Sequence, residues 1–272
     1  KDPNAEDMPL WIAPDKKVDL PKMEACMRDH YEGTPLSLDK DIAQGIWDSP
    51  YRPTPLKFEV DGKQYFNERP ISTQQTGFSY IAQLRSWLPR EIGGILWFGN
   101  DDGNMIAYVP IYCSNTERAE CFNTPGADAV TFSDKNAFWV CNWVSNMVYP
   151  RYSQLFPALK EVRDSLDNAF LAAQKGVEAK AEALYATDKA AAVKYLNDYS
   201  IQKSNEMITR WRELAIHLIV KFNDMAVKPE KDGKFLRTST GLGERVKRTG
   251  YSDYFKRELV KQTGDKFAVP NK

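Results

Sequence analysis

The chain has 272 residues, 42% of them hydrophobic and 27% charged, the composition of an ordinary folded protein rather than of a disordered or fibrous one. Lysine plus arginine and aspartate plus glutamate stand at 37 each, so no net field gathers phosphate backbones or anionic lipid, and nucleic acid is not an expected partner. No apolar run approaches the ~20 residues that span a bilayer, and the length fits either one large domain or two small ones.

The chain begins Lys1-Asp2-Pro3-Asn4, without an initiator methionine or signal peptide, which reads as a cut through a linker inside a longer precursor. Residues 1–55 are rich in proline and carry isolated apolar anchors such as Trp11, Ile12, Ile46 and Trp47, the pattern of a segment that wraps over a surface. One short helix interrupts it, with Asp19 as N-cap and Pro21 in its first turn, and with Met23, Cys26, Met27 and His30 spaced to share a face. Residues 56–132 read as an antiparallel sheet. Strands are expected over 56–60 and 64–71, joined at Asp61-Gly62-Lys63, and then over 77–88, 94–98 and 105–111, giving a meander of about five strands. Ile95, Leu96, Trp97 and Phe98 in succession are apolar on both faces, so this sheet is expected to be covered on both sides, the second layer coming from polypeptide that precedes this chain.

Residues 133–225 are expected to be helical. Leu155, Leu159, Val162, Leu166 and Phe170 fall on one stripe, and Met207, Trp211, Leu214, Leu218 and Phe222 on another. The alanine-rich run 179–192 has high helix propensity but few large anchors and is placed at the periphery. Residues 226–272 form a basic tail that acids interrupt, read as solvated and loosely packed. Strands followed by helices make the fold class α+β.

Several chemistries lack their residues. His30 and His217 are the only histidines and neither has a partner at metal-ligand spacing, so no metal is expected. Phosphate-loop, Cys-x-x-Cys and Gly-x-Ser-x-Gly signatures do not occur. His217 lies beside the apolar stripe of its helix, where a structural role is the plainer reading. Cys26 and Cys141 sit in apolar helical patterns, whereas Cys113 and Cys121 flank a short polar stretch that either closes as a disulfide loop or leaves both thiols free. Polar residues concentrate in Asn67-Glu68-Arg69-Pro70-Ile71-Ser72-Thr73-Gln74-Gln75-Thr76-Gly77, read as a strand that borders either a substrate cleft or open water.

That segment, continued by Phe78-Ser79-Tyr80-Ile81-Ala82-Gln83-Leu84-Arg85-Ser86-Trp87-Leu88-Pro89 and Gly93-Gly94-Ile95-Leu96-Trp97-Phe98-Gly99, resembles the PepD-type dipeptidases, cysteine hydrolases of the N-terminal-nucleophile superfamily. The likeness extends to Met27-Arg28-Asp29-His30-Tyr31-Glu32-Gly33-Thr34-Pro35-Leu36, to Ser49-Pro50-Tyr51-Arg52 and to Ala137-Phe138-Trp139-Val140-Cys141-Asn142-Trp143-Val144-Ser145-Asn146, and covers roughly residues 8–225. It implies an αββα sandwich and dipeptide hydrolysis by a cysteine at a mature N-terminus, whose own α-amine serves as base. The first residue here is Lys1, so the resemblance implies that the nucleophile lies on a missing upstream segment and that this chain alone is inactive.

An arginine from a later strand stands beside the nucleophile in related acylases, and Arg69 is the matching candidate, with Arg85 as second choice and Ser72 and Thr73 on the substrate side. The expected partners are a dipeptide and the missing N-terminal segment, with no organic cofactor, with homo-oligomerisation left open, and with location in the periplasm or at the cell surface. A rival reading is a non-catalytic surface module that binds carbohydrate or peptide through aromatic residues. Against it, Trp97, Trp139, Trp143 and Trp211 all fall in apolar strings expected to be core.

Overall fold

The structure is a computed structural model and describes residues 6–7 and 9–270; the reading of Lys1 to Asn4 as a cut linker lies outside them. The first helix, α1 (Leu20–Met27), is capped as its sequence predicts, the Asp19 carboxylate accepting from the backbone N–H of Lys22 at 2.9 Å. Its buried face is Leu20 and Glu24, with Met27 packed behind, whereas Met23 turns out toward solvent. His30 follows the helix rather than extending its stripe.

β1 (Lys57–Val60) and β2 (Lys63–Phe66) pair as an exposed hairpin, with Asp61 and Gly62 both at positive φ as a tight two-residue turn demands. The expected five-stranded meander does not form. β1 and β2 make a sheet of their own, and the second sheet has three antiparallel strands, β3 (Phe78–Leu84), β4 (Gly94–Asn100) and β5 (Val109–Tyr112), in that order. The break has a local cause. Residues 67–77, expected to hold strand structure, are a loop: Pro70 lacks an N–H, and the Ser72 hydroxyl is bound by a distant carboxylate rather than left beside a ladder. β5 also starts later than expected, because Gly103–Met105 closes a 3-10 turn.

The three-stranded sheet is covered on one face. Ile81, Ile95, Trp97 and Tyr112 share that face and are buried against helices. On the opposite face Leu96 and Phe98 are half-buried, and Phe78, Tyr80 and Leu84 are 58%, 52% and 76% exposed. The expected second covering layer is thus absent among the described residues.

A one-turn helix, α2 (Arg90–Gly93), leads into β4, and α3 (Ala137–Val148) starts where the Asn136 side chain caps Trp139 N–H. Then come two 34-residue helices, α4 (Tyr152–Tyr185) and α5 (Lys189–Phe222), each ~50 Å long at 1.5 Å per residue. They form an antiparallel hairpin, with Asp188 capping α5 at its turn. Leu155, Leu159, Leu166 and Phe170 of α4, and Met207, Trp211, Leu214, Leu218 and Phe222 of α5, are buried as their spacing predicts. The alanine-rich run occupies the hairpin tip, where small side chains let the helices approach and Ala181 and Ala192 are buried. Among the described residues after Met225 only Ala226 is buried. Two ladders of two-residue strands and α6 (Asp253–Thr263) lie on the surface.

The four thiols are unpaired. Cys113 is exposed while Cys121 turns into the core, so the disulfide option is not taken. Of the tryptophans expected in the core, Trp97 and Trp211 are buried, Trp139 is half-buried with its indole N–H on the Asp128 carbonyl at 2.8 Å, and Trp143 is 37% exposed.

Candidate functional site

β4 ends in Asn100 and is followed by two adjacent carboxylates, Asp101 and Asp102, both buried. The Asp102 carboxylate accepts from the Ser72 hydroxyl, from the Tyr51 phenol at 2.5 Å, from the Asn104 backbone N–H at 3.2 Å and from the Tyr149 phenol at 3.4 Å. It is the knot that ties together the wrapping segment, loop 67–77, the turn after β4 and the end of α3. Asn104 extends the network: its side-chain amide donates to the Tyr152 phenol at 3.0 Å, and Arg163 of α4 donates to its backbone and side-chain oxygens at 2.7 and 2.8 Å. Burial raises the pKa of the Tyr51, Tyr149 and Tyr152 phenols, so all three stay protonated; Tyr51 and Tyr149 donate to Asp102, whereas Tyr152 accepts from Asn104. Asp101, lying beneath, accepts from Ser145 at 2.6 Å, and burial pushes its carboxyl up to about 7 against the lowering effect of that bond.

On the other side of Tyr51 sits His30, fully buried, its ring edge against the Tyr51 ring with centroids 4.8 Å apart. Its Nδ1 lies 3.1 Å from Glu32 Oε1, and its Nε2 has no hydrogen-bond partner among the described residues. Burial pulls the Glu32 carboxyl upward, but hydrogen bonds from the His30 ring and backbone N–H outweigh it and hold the group down at about 2.

Next along the chain, Arg52 is 3% exposed. One terminal nitrogen donates to the Leu38 carbonyl and to Asp41 at 2.9 Å, whereas Nε and Nη1 are buried without an acceptor. Arg52 forms part of the wall of a cavity of about 380 Å³ with Ser49, Tyr51, Gln74, Asn146 and Tyr149. Gln74 belongs to loop 67–77, and its side-chain amide donates to the Arg52 carbonyl, so loop and cavity are one continuous site.

The residues singled out in the sequence are partly assembled here. Arg69 is exposed, its carbonyl holding the Tyr31 phenol at 2.7 Å while its guanidinium has no partner among the described residues. Thr73, half-buried on the same loop, donates to the Gln75 side chain. Ser72 is 1% exposed and its hydroxyl is taken by Asp102, which makes it an anchor of the loop. Arg85 stands apart, beyond the far end of β3, a strand ~20 Å long at 3.4 Å per residue. It is buried in an ion pair with Glu178 of α4 and also donates to the Ile92 and Gly93 carbonyls at 3.2 and 3.3 Å.

The sequence reading passed over Tyr51, Arg52, Asp102 and Asn104. Tyr51 and Arg52 lie in a matching string but in no periodic pattern, and Asp102 and Asn104 read only as turn formers. Among the described residues no group of three His, Cys, Asp or Glu side chains is arranged to hold a metal, and no helix is long and apolar enough to cross a membrane.

Comparison with known proteins places this site in a family. Over 219 residues the chain is 23% identical to a probable dipeptidase B of Streptococcus pyogenes serotype M1, an alignment that takes in 80% of this chain and 41% of that protein. The chain therefore spans about two fifths of the length of the curated relative it matches. Peptidase family C69 matches residues 1–165, a stretch that includes α1, both sheets, loop 67–77, the Arg52 cavity and the Asp102 network, and on that match the chain belongs to peptidase family C69.

Proposed function

We infer that this chain is the C-terminal part of a thiol dipeptidase with an αββα architecture, whose nucleophilic cysteine is supplied by polypeptide upstream of these 272 residues. The observation that supports the reading most directly is the half-covered sheet. Phe78, Tyr80 and Leu84 leave an apolar face open beside the loop that carries Arg69, and covering such side chains stabilises by about 1.5–3 kcal/mol each. A second sheet stacked there would bring its N-terminal residue toward loop 67–77, where the Arg69 guanidinium, without a partner among the described residues, would favour a thiolate over a thiol. The thiol then attacks the amide carbon, the free α-amine takes its proton, and the C-terminal amino acid leaves with that proton. Water releases the acyl group in a second step.

The test uses the intact gene product. It is expected to hydrolyse dipeptides, to lose that activity when the N-terminal cysteine is changed to alanine, and to lose tenfold to a thousandfold in kcat/KM on Arg69→Ala if Arg69 stabilises developing charge. A gene product without such a thiol overturns the reading, and an unchanged rate for Arg69→Ala removes Arg69 from it.

A further inference from the structure

The guanidinium of Arg52 carries five N–H groups and a positive charge. Its Nη2 is spent on the Leu38 carbonyl and the Asp41 carboxylate, and its Nε and Nη1 meet no acceptor although the side chain is almost wholly buried. Leaving donors of a buried cation unmet is costly, and native proteins do so rarely. The cavity against which Arg52 stands has about 380 Å³, near the lower end of the ~300–1,000 Å³ typical of small-molecule sites. Polar groups of Ser49, Gln74 and Asn146 share its wall with the apolar surfaces of Ile46, Pro53 and Pro150.

We propose that this cavity is a carboxylate-binding subsite in which Arg52 anchors the free C-terminal carboxylate of a dipeptide, with Ile46, Pro53 and Pro150 against the adjoining side chain. The assignment rests on the dipeptidase reading, which supplies a substrate with such a carboxylate. Charge selects this class over a phosphate. Asp41 already neutralises part of the guanidinium, and Asp102 lies behind Tyr51, so a dianion would be repelled where a monoanion is held. Gln74 couples the subsite to chemistry, because its amide grips the Arg52 carbonyl from the loop that bears Arg69.

The intact gene product with its proposed nucleophilic cysteine changed to alanine, titrated calorimetrically with alanylalanine and with alanylalanine amide, is expected to bind the acid at least about tenfold more tightly than the amide, the loss typical when a charge-assisted hydrogen bond is removed. Arg52→Gln should erase that preference and Arg52→Lys restore part of it, circular dichroism confirming that each variant folds. Equal affinity for acid and amide, no binding of either at millimolar concentration, or a preference that survives in a folded Arg52→Gln protein overturns the proposal. The comparison of acid with amide at native Arg52 decides the matter even where an Arg52 variant does not fold. The two readings fail separately: an intact gene product that binds the acid selectively but hydrolyses nothing sinks the dipeptidase, and one that cleaves acid and amide with the same KM sinks the subsite.

Discussion

The phenol of Tyr51 donates to the Asp102 carboxylate at 2.5 Å, and through that carboxylate it is joined to Ser72, which closes loop 67–77 onto the end of the three-stranded sheet. Asp102→Ala deletes the acceptor and leaves two buried hydroxyls unmet, each costing about 1–3 kcal/mol. The variant should therefore be destabilised by ~3 kcal/mol or more in urea unfolding. Ser72→Ala removes one donor from a carboxylate that keeps three others and should cost about 1 kcal/mol. Equal midpoints for the two variants would show that the network is not centred on Asp102.

Stability should fall as pH rises toward neutrality. Burial, reinforced by the nearby Asp167 charge, raises the Glu24 carboxyl from 4.5 to about 7, and burial raises Asp101 from 3.8 to about 7. A carboxyl whose folded pKa lies above its unfolded value binds its proton more tightly when folded. The stability it contributes is complete below the unfolded pKa and is lost as pH climbs through about 7. For Glu24 the loss amounts to about 3 kcal/mol between pH 4.5 and 7. Glu24→Gln should flatten that part of the stability profile, and Asp101→Asn should do the same, since asparagine tolerates the positive φ of 84° found there. Parallel profiles for wild type and both variants over this interval would refute the assignment.

What was legible in the sequence was local. The stripes of α4 and α5 and the Asp19 cap depend on residues within a few positions of one another and formed as read except that Val162 is half-buried, while the turn read as Asp61-Gly62-Lys63 closes one residue earlier, with Lys63 already in β2. Loop 67–77 was misread because its polar side chains look like one face of an edge strand, while what shapes it is Asp102, thirty positions away in the Ser72 contact. The network around that carboxylate draws single residues from positions 51, 72, 104 and 149, and no window or period connects them. Arg52 was missed for a related reason: what marks it is an absence of acceptors in three dimensions, which leaves no trace in the chain. Trp143 shows the converse error, an apolar string taken as core although one side of its helix faces outward.

Three of the four thiols, Cys113, Cys121 and Cys141, should separate sharply in an alkylation experiment. Burial raises Cys121 to about 11 and holds Cys141 well above its ordinary value, and both side chains are closed off from solvent. Cys113 is exposed at the end of β5. Iodoacetamide at pH 8 followed by mass spectrometry should label Cys113 first and leave Cys121 and Cys141 unmodified until the protein is denatured. Rapid native labelling of Cys141 would mean that α3 is not packed as described.

Gly103 should tolerate no side chain. A Cβ at this position would lie 2.7 Å from the Met27 carbonyl and 3.0 Å from the Tyr108 hydroxyl, so alanine must push the end of α1 away from the turn after β4. That contact is secured by Arg28, which donates to the Gly103 carbonyl at 3.1 Å, to the Ile106 carbonyl at 3.3 Å and to Asp167 at 2.7 Å. Gly103→Ala should cost about 1–3 kcal/mol by overpacking. Because the Asp29 carbonyl accepts the Ser72 N–H and Tyr31 holds the Arg69 carbonyl, the displacement should also carry the Arg69 loop with it and, on the dipeptidase reading proposed above, lower kcat/KM in the intact gene product. Gly176→Ala is the control: within α4, with nothing inside 4 Å of the new Cβ, it should stabilise by about 0.5–1 kcal/mol. Thermal melts of the two variants should therefore move in opposite directions, and a Gly103→Ala protein that melts with wild type would break the contact between α1 and the turn on which the position of Arg69 depends.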